Sequence, residues 1–448
     1  MLPLLRGAPM PNRRHFLQGS VSLAAITGSS SLLPLAQAQS TSSQPYQLAV
    51  PPLPDRSLYD RNEDAYWAEI RKQFVIPRDE IYLNNGTVGS SPLPVLKAVF
   101  DSYFDCERLN WEDPERYPIW GYEPWNEYRD PLAQFLGVTR DELALVRNAT
   151  EANSFMANGW DMKPGDEVLM SDQEHPSGEG PWGLKAKRYG VVVKQYKIPK
   201  PCNDPAQILN LINDAITPRT KVLFTSHITT ETGLIQPVKE MCDLARSKGI
   251  VSMIDGAHAP GMMRLNIKEL GCDMYGASPH KWLQAPKGTG FLYVRDEMID
   301  RLWSTTTTHG WNDTKMRAER FQHIGSSNVP TLAGMKASLD LCNQIGLDRI
   351  EKRHRQLNQY MYDEMQKRGA ELWTSTNPNM RCGITSFTIA PVKIADLERD
   401  LWKNQKIRVR GAAPYKIRLS TPYYLQKSEI DRFLAQYDQY RKSYRAAV

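Results

Sequence analysis

Short apolar runs rich in β-branched residues alternate with longer amphipathic segments from about residue 140 onward. Within the segment 237–249, the apolar side chains recur at the spacing of one helix face. Pro237 suits the first turn of this helix, and Gly249 suits the left-handed position just after its end. The pattern predicts a helix there, between two of the strands expected at residues 167–170, 191–196, 222–226, 250–254 and 290–294.

A repeated order of strand, helix and strand predicts a mostly parallel sheet with helices on both faces. We therefore expect an α/β fold, with a large domain at 76–330. A helical run at 331–345 would lead into a smaller α+β domain at 331–448, and residues 39–75 would form a linker and arm. Ligands of such sheets bind beyond the carboxyl ends of the strands, so polar residues that follow strands are candidates for function.

The first 38 residues have the composition of a processing signal. A basic start and a weakly apolar stretch end in the small-residue pattern 36–38. Arg13, Arg14, Phe16 and Leu17 resemble the twin-arginine export signal. The resemblance implies transport by the twin-arginine translocation machinery, cleavage after Ala38, and a periplasmic or otherwise exported protein. An ordinary secretory signal and a surface helix with two arginines are the alternatives.

Composition narrows the function classes. The chain has 448 residues, of which 41% are hydrophobic and 24% charged, as in globular proteins with room for two domains. Of its net charge of +6, three charges belong to the first 38 residues, and the small remainder does not indicate a nucleic-acid binder. Its six cysteines are scattered without paired spacing, so we expect buried thiols and no metal site.

Two segments carry the candidate chemistry. Asp255 directly follows an expected buried strand, where a carboxylate without a partner is costly. Taken alone, it could bind a metal, pair with a buried cation or, most commonly, cap the next helix. Lys281 lies in a tight segment with Ser278 and His280, which can donate hydrogen bonds to an anion.

The two segments together resemble the class V aminotransferase family, whose relatives include cysteine desulfurases and isopenicillin N epimerase. The family pattern of Asp-x-x-Gln/His and then Ser-x-His-Lys is met by Asp255, His258, Ser278, His280 and Lys281. The resemblance implies the fold type I of enzymes that use pyridoxal 5'-phosphate (PLP). Lys281 would hold PLP as a Schiff base and later move protons at the substrate α-carbon. Asp255 would keep the pyridine nitrogen protonated, and His258 would bind the phenolic oxygen.

Further cofactor contacts follow from the same resemblance. Ala149 and Thr150 lie at an expected helix start, where backbone N–H groups and the Thr150 hydroxyl can hold the phosphate. Thr150 is equally suited to cap that helix. His175 matches the family histidine that stacks on the cofactor ring. Thr230 replaces an asparagine that contacts the cofactor oxygen in many relatives, which is a departure from the family pattern.

Three residues are expected to complete the site. Ser326 resembles a family residue that reaches the phosphate of the partner subunit, which implies a homodimer; a polar loop is the alternative. Arg418 matches the arginine that grips the substrate α-carboxylate with two parallel donors; a surface arginine is the alternative. Asn85 follows the family's opening strand and is expected to bind substrate.

The fold does not select the reaction. Cysteine desulfurases need a cysteine shortly before the carboxylate-binding arginine, and none occurs between Cys382 and Arg418, so desulfuration is disfavoured. Amino-group transfer, epimerisation, and elimination or side-chain cleavage are left, each on an amino acid or peptide-like amine. The layout is also similar to that of an exported family member that acts in maturation of the siderophore pyoverdine, so a siderophore precursor is an alternative substrate. A PLP-binding protein without catalysis is the alternative of another class.

Overall fold

The computed structural model describes residues 48–107, 123–389, 393–413 and 416–446. The expected signal segment at 1–38 and the first part of the expected linker lie outside the described residues. Within the described ranges, no helix combines the length and the apolar character that crossing a membrane requires.

The helices and strands alternate through most of the described chain. The α-helices are α1 Arg56–Arg61, α2 Glu63–Arg71, α3 Leu93–Glu107, α4 Asn126–Leu136, α5 Ala149–Gly159, α6 Pro176–Tyr189, α7 Pro205–Ala215, α8 Val238–Ser247, α9 Ile267–Leu270, α10 Asp296–Ile299, α11 Val329–Ile345, α12 Leu347–Lys367, α13 Ile394–Gln405 and α14 Lys427–Ala446. The strands are β1 Ile81–Tyr82, β2 Leu143–Val146, β3 Glu167–Ser171, β4 Val192–Tyr196, β5 Thr220–Ser226, β6 Val251–Asp255, β7 Met274–Ala277, β8 Gly290–Val294, β9 Glu371–Leu372, β10 Ile384–Thr388, β11 Ile407–Arg408, β12 Arg410–Ala413 and β13 Lys416–Ser420. Short 3₁₀ helices lie at Arg140–Glu142, Thr314–Phe321 and Pro378–Met380.

The largest sheet of the described chain has seven strands in the order β2-β8-β7-β6-β5-β3-β4. Strands β3 to β7 pair in parallel, whereas β8 is antiparallel to both of its neighbours. The prediction of a mostly parallel sheet is therefore confirmed. All five expected strands are present, and their ends differ from the prediction by two residues or fewer.

The large sheet is buried on both faces. Along β8, Phe291 and Tyr293 pack into one hydrophobic cluster, whereas Leu292 and Val294 pack into another. Because successive side chains of a strand point to opposite faces, the two clusters lie on the two sides of the sheet. Such double burial explains why these strands are continuous apolar runs in the sequence.

Helix α8 ends as the sequence predicts. Gly249 has a φ of 68°, and the backbone N–H groups of Gly249 and Ile250 donate to the carbonyls of Arg246 and Ala245. This is the Schellman arrangement of a helix C-terminus. Pro237, expected in the first turn, instead occupies the N-cap position, because the helix begins one residue later.

A second, antiparallel sheet has the order β12-β13-β10-β9 and shares a hydrophobic core with α12, α13 and α14. The short strand β1 pairs in parallel with β11, far along the chain. The backbone N–H of Ser420 then donates to the carbonyl of Leu83 at 2.8 Å. These pairings bring the segment after β1 against the end of β13.

Candidate active site

A cavity of about 530 Å³ opens beyond the carboxyl ends of β3, β5, β6 and β7. The strands end at Ser171, Ser226, Asp255 and Ala277, and the residues that follow each of them line the cavity. Residues before and in α5, the segment after β1, and the strands β12 and β13 complete the lining. The prediction that functional residues follow the strands is consistent with this placement.

Lys281 lies beside His258 in this cavity, with 3.3 Å between Nζ and Nε2. Burial lowers the pKa of Lys281 to about 8; Asp255 opposes this shift and Arg418 adds to it. The indole N–H of Trp282 donates to Nδ1 of His258 at 3.0 Å. Burial also holds the pKa of His258 well below its ordinary value, so the ring is neutral and carries its hydrogen on Nε2. That hydrogen points toward the lysine.

Asp255 is held rigidly at the end of β6. Its Oδ2 accepts a hydrogen bond from Nδ2 of Asn153 at 2.8 Å, and its Oδ1 accepts from the backbone N–H of Ala257 at 3.0 Å. The residue is buried, and no lysine or arginine of the described chain forms an ion pair with it. A buried carboxylate with neutral partners is suited to a cationic group such as a protonated pyridine nitrogen.

The start of α5 offers donors for a phosphate. The Ser278 hydroxyl accepts from the backbone N–H of Ala149 at 2.8 Å, which joins the two predicted phosphate segments. Asn148, and not Thr150, caps the helix by accepting from the N–H of Glu151, so the capping role considered for Thr150 is wrong. The Thr150 side chain is exposed and lines the cavity.

His280 also lines the cavity, and its Nδ1 donates to the carbonyl of Thr289 at 3.2 Å. Burial lowers its pKa to about 4, so the free ring is neutral with a lone pair on Nε2. An anion beside Nε2 would favour the doubly protonated ring, because a nearby opposite charge raises the pKa of a histidine.

His175 stands at the start of α6, as its N-cap residue. Its Nδ1 accepts from the backbone N–H of Ser177 at 3.1 Å, which leaves the ring hydrogen on Nε2. Partial burial lowers its pKa, and the positive charge of Lys281 lowers it further. A neutral, fixed imidazole at the cavity wall is compatible with the predicted stacking role.

Glu174, next to His175, was assigned no role from the sequence. Its carboxylate is the centre of a buried hydrogen-bond network. Its Oε2 accepts from the backbone N–H and the hydroxyl of Ser226, and its Oε1 accepts from the hydroxyl of Ser171. Burial raises the pKa of this carboxyl to about 7, the serine hydroxyls oppose the shift, and Asp255 adds to it. Glu174 thereby connects the ends of β3 and β5.

Arg418 projects from β13 into the cavity. One of its terminal nitrogens donates to the carbonyl and the hydroxyl of Thr230, the latter at 2.8 Å. The other donates to Oδ1 of Asn84 and to the hydroxyl of Thr87 at 2.7 Å. Thr230, predicted to contact the cofactor oxygen, lines the cavity; its hydroxyl accepts from Arg418 and keeps its own hydrogen to donate.

Two predicted site residues do not line the cavity of the described chain. Asn85 is fully buried, and its Nδ2 donates to the carbonyl of Lys281 at 3.2 Å. This hydrogen bond holds the backbone that carries Lys281 in place, while the neighbouring Asn84 contacts Arg418. Ser326 is exposed in the loop before α11 and lies outside the lining of the cavity.

The donor set fits PLP. It has one buried amine for the aldehyde, one buried carboxylate for the pyridine nitrogen, and a helix start with two hydroxyls for the phosphate. The cavity of about 530 Å³ also has room for a ligand of this size.

The family described as Aminotransferase class-V matches residues 81–433. Isopenicillin N epimerase of Streptomyces clavuligerus is 29% identical over an alignment of 394 positions that covers 82% of this chain and 96% of that protein. A probable cysteine desulfurase of Methanothermobacter thermautotrophicus is 27% identical, over 79% of this chain and 88% of that protein.

Two solved structures share the fold. The apo cysteine desulfurase from Thermococcus onnurineus NA1 has a TM-score of 0.75 at 23% identity, covering 84% of this chain and 98% of its own. The cystine C-S lyase C-DES, in complex with its product cysteine persulfide, has a TM-score of 0.73 at 22% identity, covering 80% and 97%. At these identities the likeness shows the fold alone, and it confirms the predicted fold type I.

Proposed function

Because the chain belongs to the class V aminotransferase family and its cofactor is PLP, we propose that it moves the proton at the α-carbon of an amino acid or peptide-like amine. The observation that carries the proposal is the Lys281 amine, which shares the cavity with Arg418 and has its pKa lowered to about 8. Bound PLP supplies an electron sink for the negative charge that proton removal leaves at the α-carbon.

Four residues of the cavity have a part in this chemistry. Lys281 is the general base, because a lysine with a pKa near neutrality is unprotonated often enough to accept a proton. Arg418 binds the substrate α-carboxylate, and this contact fixes the α-carbon relative to Lys281. Asp255 would hold a proton on the pyridine nitrogen of bound PLP, and the Nε2–H of His258 would be available to its phenolic oxygen.

Among reactions that begin in this way, we place epimerisation first and amino-group transfer second. The isopenicillin N epimerases from Streptomyces clavuligerus and Amycolatopsis lactamdurans are each 29% identical and match 96% of their own length. Similarity alone does not separate proton transfer from sulfur transfer, because probable cysteine desulfurases are also relatives.

Cysteine placement supports proton transfer. All six cysteines fall within the described ranges, all are buried, and none of them lines the cavity. Cys382 donates its S–H to the carbonyl of Gly233 at 3.3 Å, and burial raises its pKa to about 12. A thiol in that state is a poor nucleophile, so it is unsuited to accept sulfur from a substrate.

Incubation of the holoenzyme with amino acids and short peptides in deuterated water tests the proposal. We expect deuterium at the α-carbon, with inverted configuration for epimerisation and a keto product for amino-group transfer. Lys281→Ala should abolish both signals. Sulfide release from cysteine without α-carbon exchange would overturn the proposal in favour of desulfuration, and a cofactor spectrum indifferent to every amine would favour a non-catalytic PLP-binding protein.

We also propose that the protein is exported by the twin-arginine machinery. Support comes from Arg13, Arg14 and the small-residue pattern at 36–38, all outside the described residues. A fusion of residues 1–47 to a reporter that is active only after export in the folded state tests this. Export should be lost when Arg13→Lys and Arg14→Lys are combined, and export that persists in that double variant would exclude the twin-arginine route.

A homodimer is proposed on the strength of Ser326. Its exposed position in the loop before α11 leaves it available to a second copy of the chain. Light scattering of the purified holoenzyme should give twice the chain mass. In the dimer, Ser326→Ala should weaken PLP retention without changing the dimer mass, whereas a monomeric holoenzyme would overturn this assembly.

A further inference from the structure

Two arginines face each other across neighbouring strands at the cavity. Strand β12 pairs antiparallel with β13, and Arg410 lies directly opposite Arg418 in the register. Both residues line the cavity. Like charges directly opposite on a sheet are destabilising, so this pair has an electrostatic cost that an anion between them would relieve.

No carboxylate within the described part of the chain forms an ion pair with either arginine. Arg418 donates to neutral oxygens only, those of Thr230, Asn84 and Thr87. The Arg410 side chain is exposed. The positive charge of the pair is therefore left for a ligand to neutralise.

The acids that line the cavity are engaged elsewhere. Asp172 accepts a hydrogen bond from the N–H of Ile198, and Asp255 accepts one from Asn153. Glu174 accepts hydrogen bonds from the hydroxyls of Ser171 and Ser226. Glu231 forms ion pairs with Lys200 and Lys416. Each of these contacts joins parts of the cavity wall to one another. None of these four acids forms an ion pair with Arg410.

We infer that Arg410 determines specificity by binding a second carboxylate of the substrate, while Arg418 binds the α-carboxylate. The inference rests on the proposed function for the role of Arg418. It narrows the substrate class to amines that carry two carboxylates. The second carboxylate could belong to an acidic side chain, or to the C-terminus of a peptide joined through that side chain.

Unreactive carboxylates test the inference without catalysis. Calorimetric titration of the holoenzyme compares glutarate with pentanoate, which has the same carbon chain but one carboxylate. We expect glutarate to bind about fivefold more tightly, the factor typical of one partly exposed ion pair. Arg410→Gln should remove this preference and leave pentanoate unchanged, and Arg410→Lys should retain part of it.

Arg408→Gln is the matched control, because Arg408 is exposed on the same segment but stacks on Trp402 at 4.0 Å outside the cavity. It should leave both affinities unchanged. Equal binding of glutarate and pentanoate to the wild type, or equal weakening of both by Arg410→Gln, would overturn the inference. Neither ligand carries an amine, so this result does not depend on α-proton exchange. Failure of that exchange would instead overturn the proposed function.

Two further ligands identify the source of the carboxylate. L-Glutamate is compared with L-glutamine, and γ-glutamylglycine with its C-terminal amide. A preference for glutamate that Arg410→Gln abolishes assigns the subsite to an acidic side chain, whereas such a preference for γ-glutamylglycine assigns it to a peptide C-terminus. If Arg410→Gln abolishes neither preference, the subsite is not at Arg410.

Discussion

The ε-amino group of Lys281 reacts with the cofactor aldehyde only when it is unprotonated. Burial lowers its pKa to about 8. We therefore expect the rate at which the apoenzyme captures PLP to rise with pH up to about 8 and then to level off, whereas an ordinary lysine would continue to gain reactivity up to about pH 10. Stopped-flow absorbance measures this rate.

Asp255 provides the control for that profile. Its negative charge raises the pKa of Lys281, so Asp255→Asn should move the midpoint of the profile to lower pH. A midpoint near the ordinary lysine pKa of about 10.4 would show that the amine is not buried as described.

Trp282 determines which nitrogen of His258 carries the hydrogen. An indole N–H can only donate, so Nδ1 of His258 must accept and Nε2 must be protonated. Trp282→Phe removes this constraint, and we expect kcat to fall about tenfold or more, since a histidine in the wrong tautomer loses its hydrogen-bonding role. The pH at which the visible absorbance of the holoenzyme titrates should shift as well.

Trp303→Phe is the comparison for Trp282→Phe. Trp303 is exposed and also donates an indole hydrogen bond, to Asp161 at 2.9 Å, but outside the cavity. Its loss should leave kcat and the titration unchanged. Equal effects of the two substitutions would mean that Trp282 acts through general packing.

Glu174 should make the stability of the apoenzyme depend on pH. Its pKa is raised from about 4.5 to about 7, so between these values the folded state holds a proton that the unfolded state has lost. Stability should therefore fall as pH rises through this window, by on the order of 3 kcal/mol, and then stay level. In urea unfolding across this pH window, the free energy of unfolding should decrease less for Glu174→Gln than for the wild type. The same dependence on pH in both proteins would exclude this carboxyl as the cause.

The sequence was informative about site residues that follow strands and less so about their neighbours. Asp255 and Lys281 could be found because strand ends and a family pattern coincide there. Asn153 could not, because its contact with Asp255 depends on how α5 packs across the sheet. Asn85 was predicted to bind substrate, whereas the neighbouring Asn84 is the residue that contacts Arg418, because one residue of register reverses the direction of a side chain in an extended segment.

At the scale of elements, the end of α8 allows a direct measurement of the free-energy cost of placing a residue other than glycine in the left-handed conformation. Gly249 has a φ of 68°, and no atom lies within 4 Å of a Cβ built there. Gly249→Ala should therefore destabilise the protein by about 1 kcal/mol through the backbone alone. Urea unfolding measures the change.

Gly183 in α6 is the matched position, because it too has open space for a Cβ but lies inside a helix. Gly183→Ala should stabilise the protein by about 0.5–1 kcal/mol, because alanine has the higher helix propensity. If both substitutions destabilised the protein, an unseen contact rather than backbone conformation would be responsible at one of them.

Elements with a long, regular pattern were predictable, and short ones were not. Strand β7 was missed because its four residues include Gly276 and no β-branched side chain. The interruption at Val409, between β11 and β12, was not predicted from the sequence either. With a continuous strand, Arg408 and Arg410 would share one face, so the sequence could not show that only Arg410 lines the active-site cavity.

At the scale of the whole molecule, the cofactor site joins segments from most of the described chain. Its lining runs from Gly86 after β1 to Arg418 in β13. It includes residues that follow strands of the large sheet and residues in β12 and β13 of the second sheet. PLP binds the folded chain and has no such site in the unfolded one, so saturating PLP should stabilise the fold by mass action. At 100 to 1,000 times its dissociation constant the gain is about 3–4 kcal/mol.

Differential scanning calorimetry of apoenzyme and holoenzyme measures this gain as a rise in Tm. Because the site connects the large sheet with β13, the holoenzyme should unfold in one transition in which both sheets are lost together. Lys281→Ala with added PLP should recover only part of the rise, since it retains the phosphate and pyridine contacts without the covalent link. An apoenzyme and holoenzyme with equal Tm would mean that these segments do not meet around the cofactor.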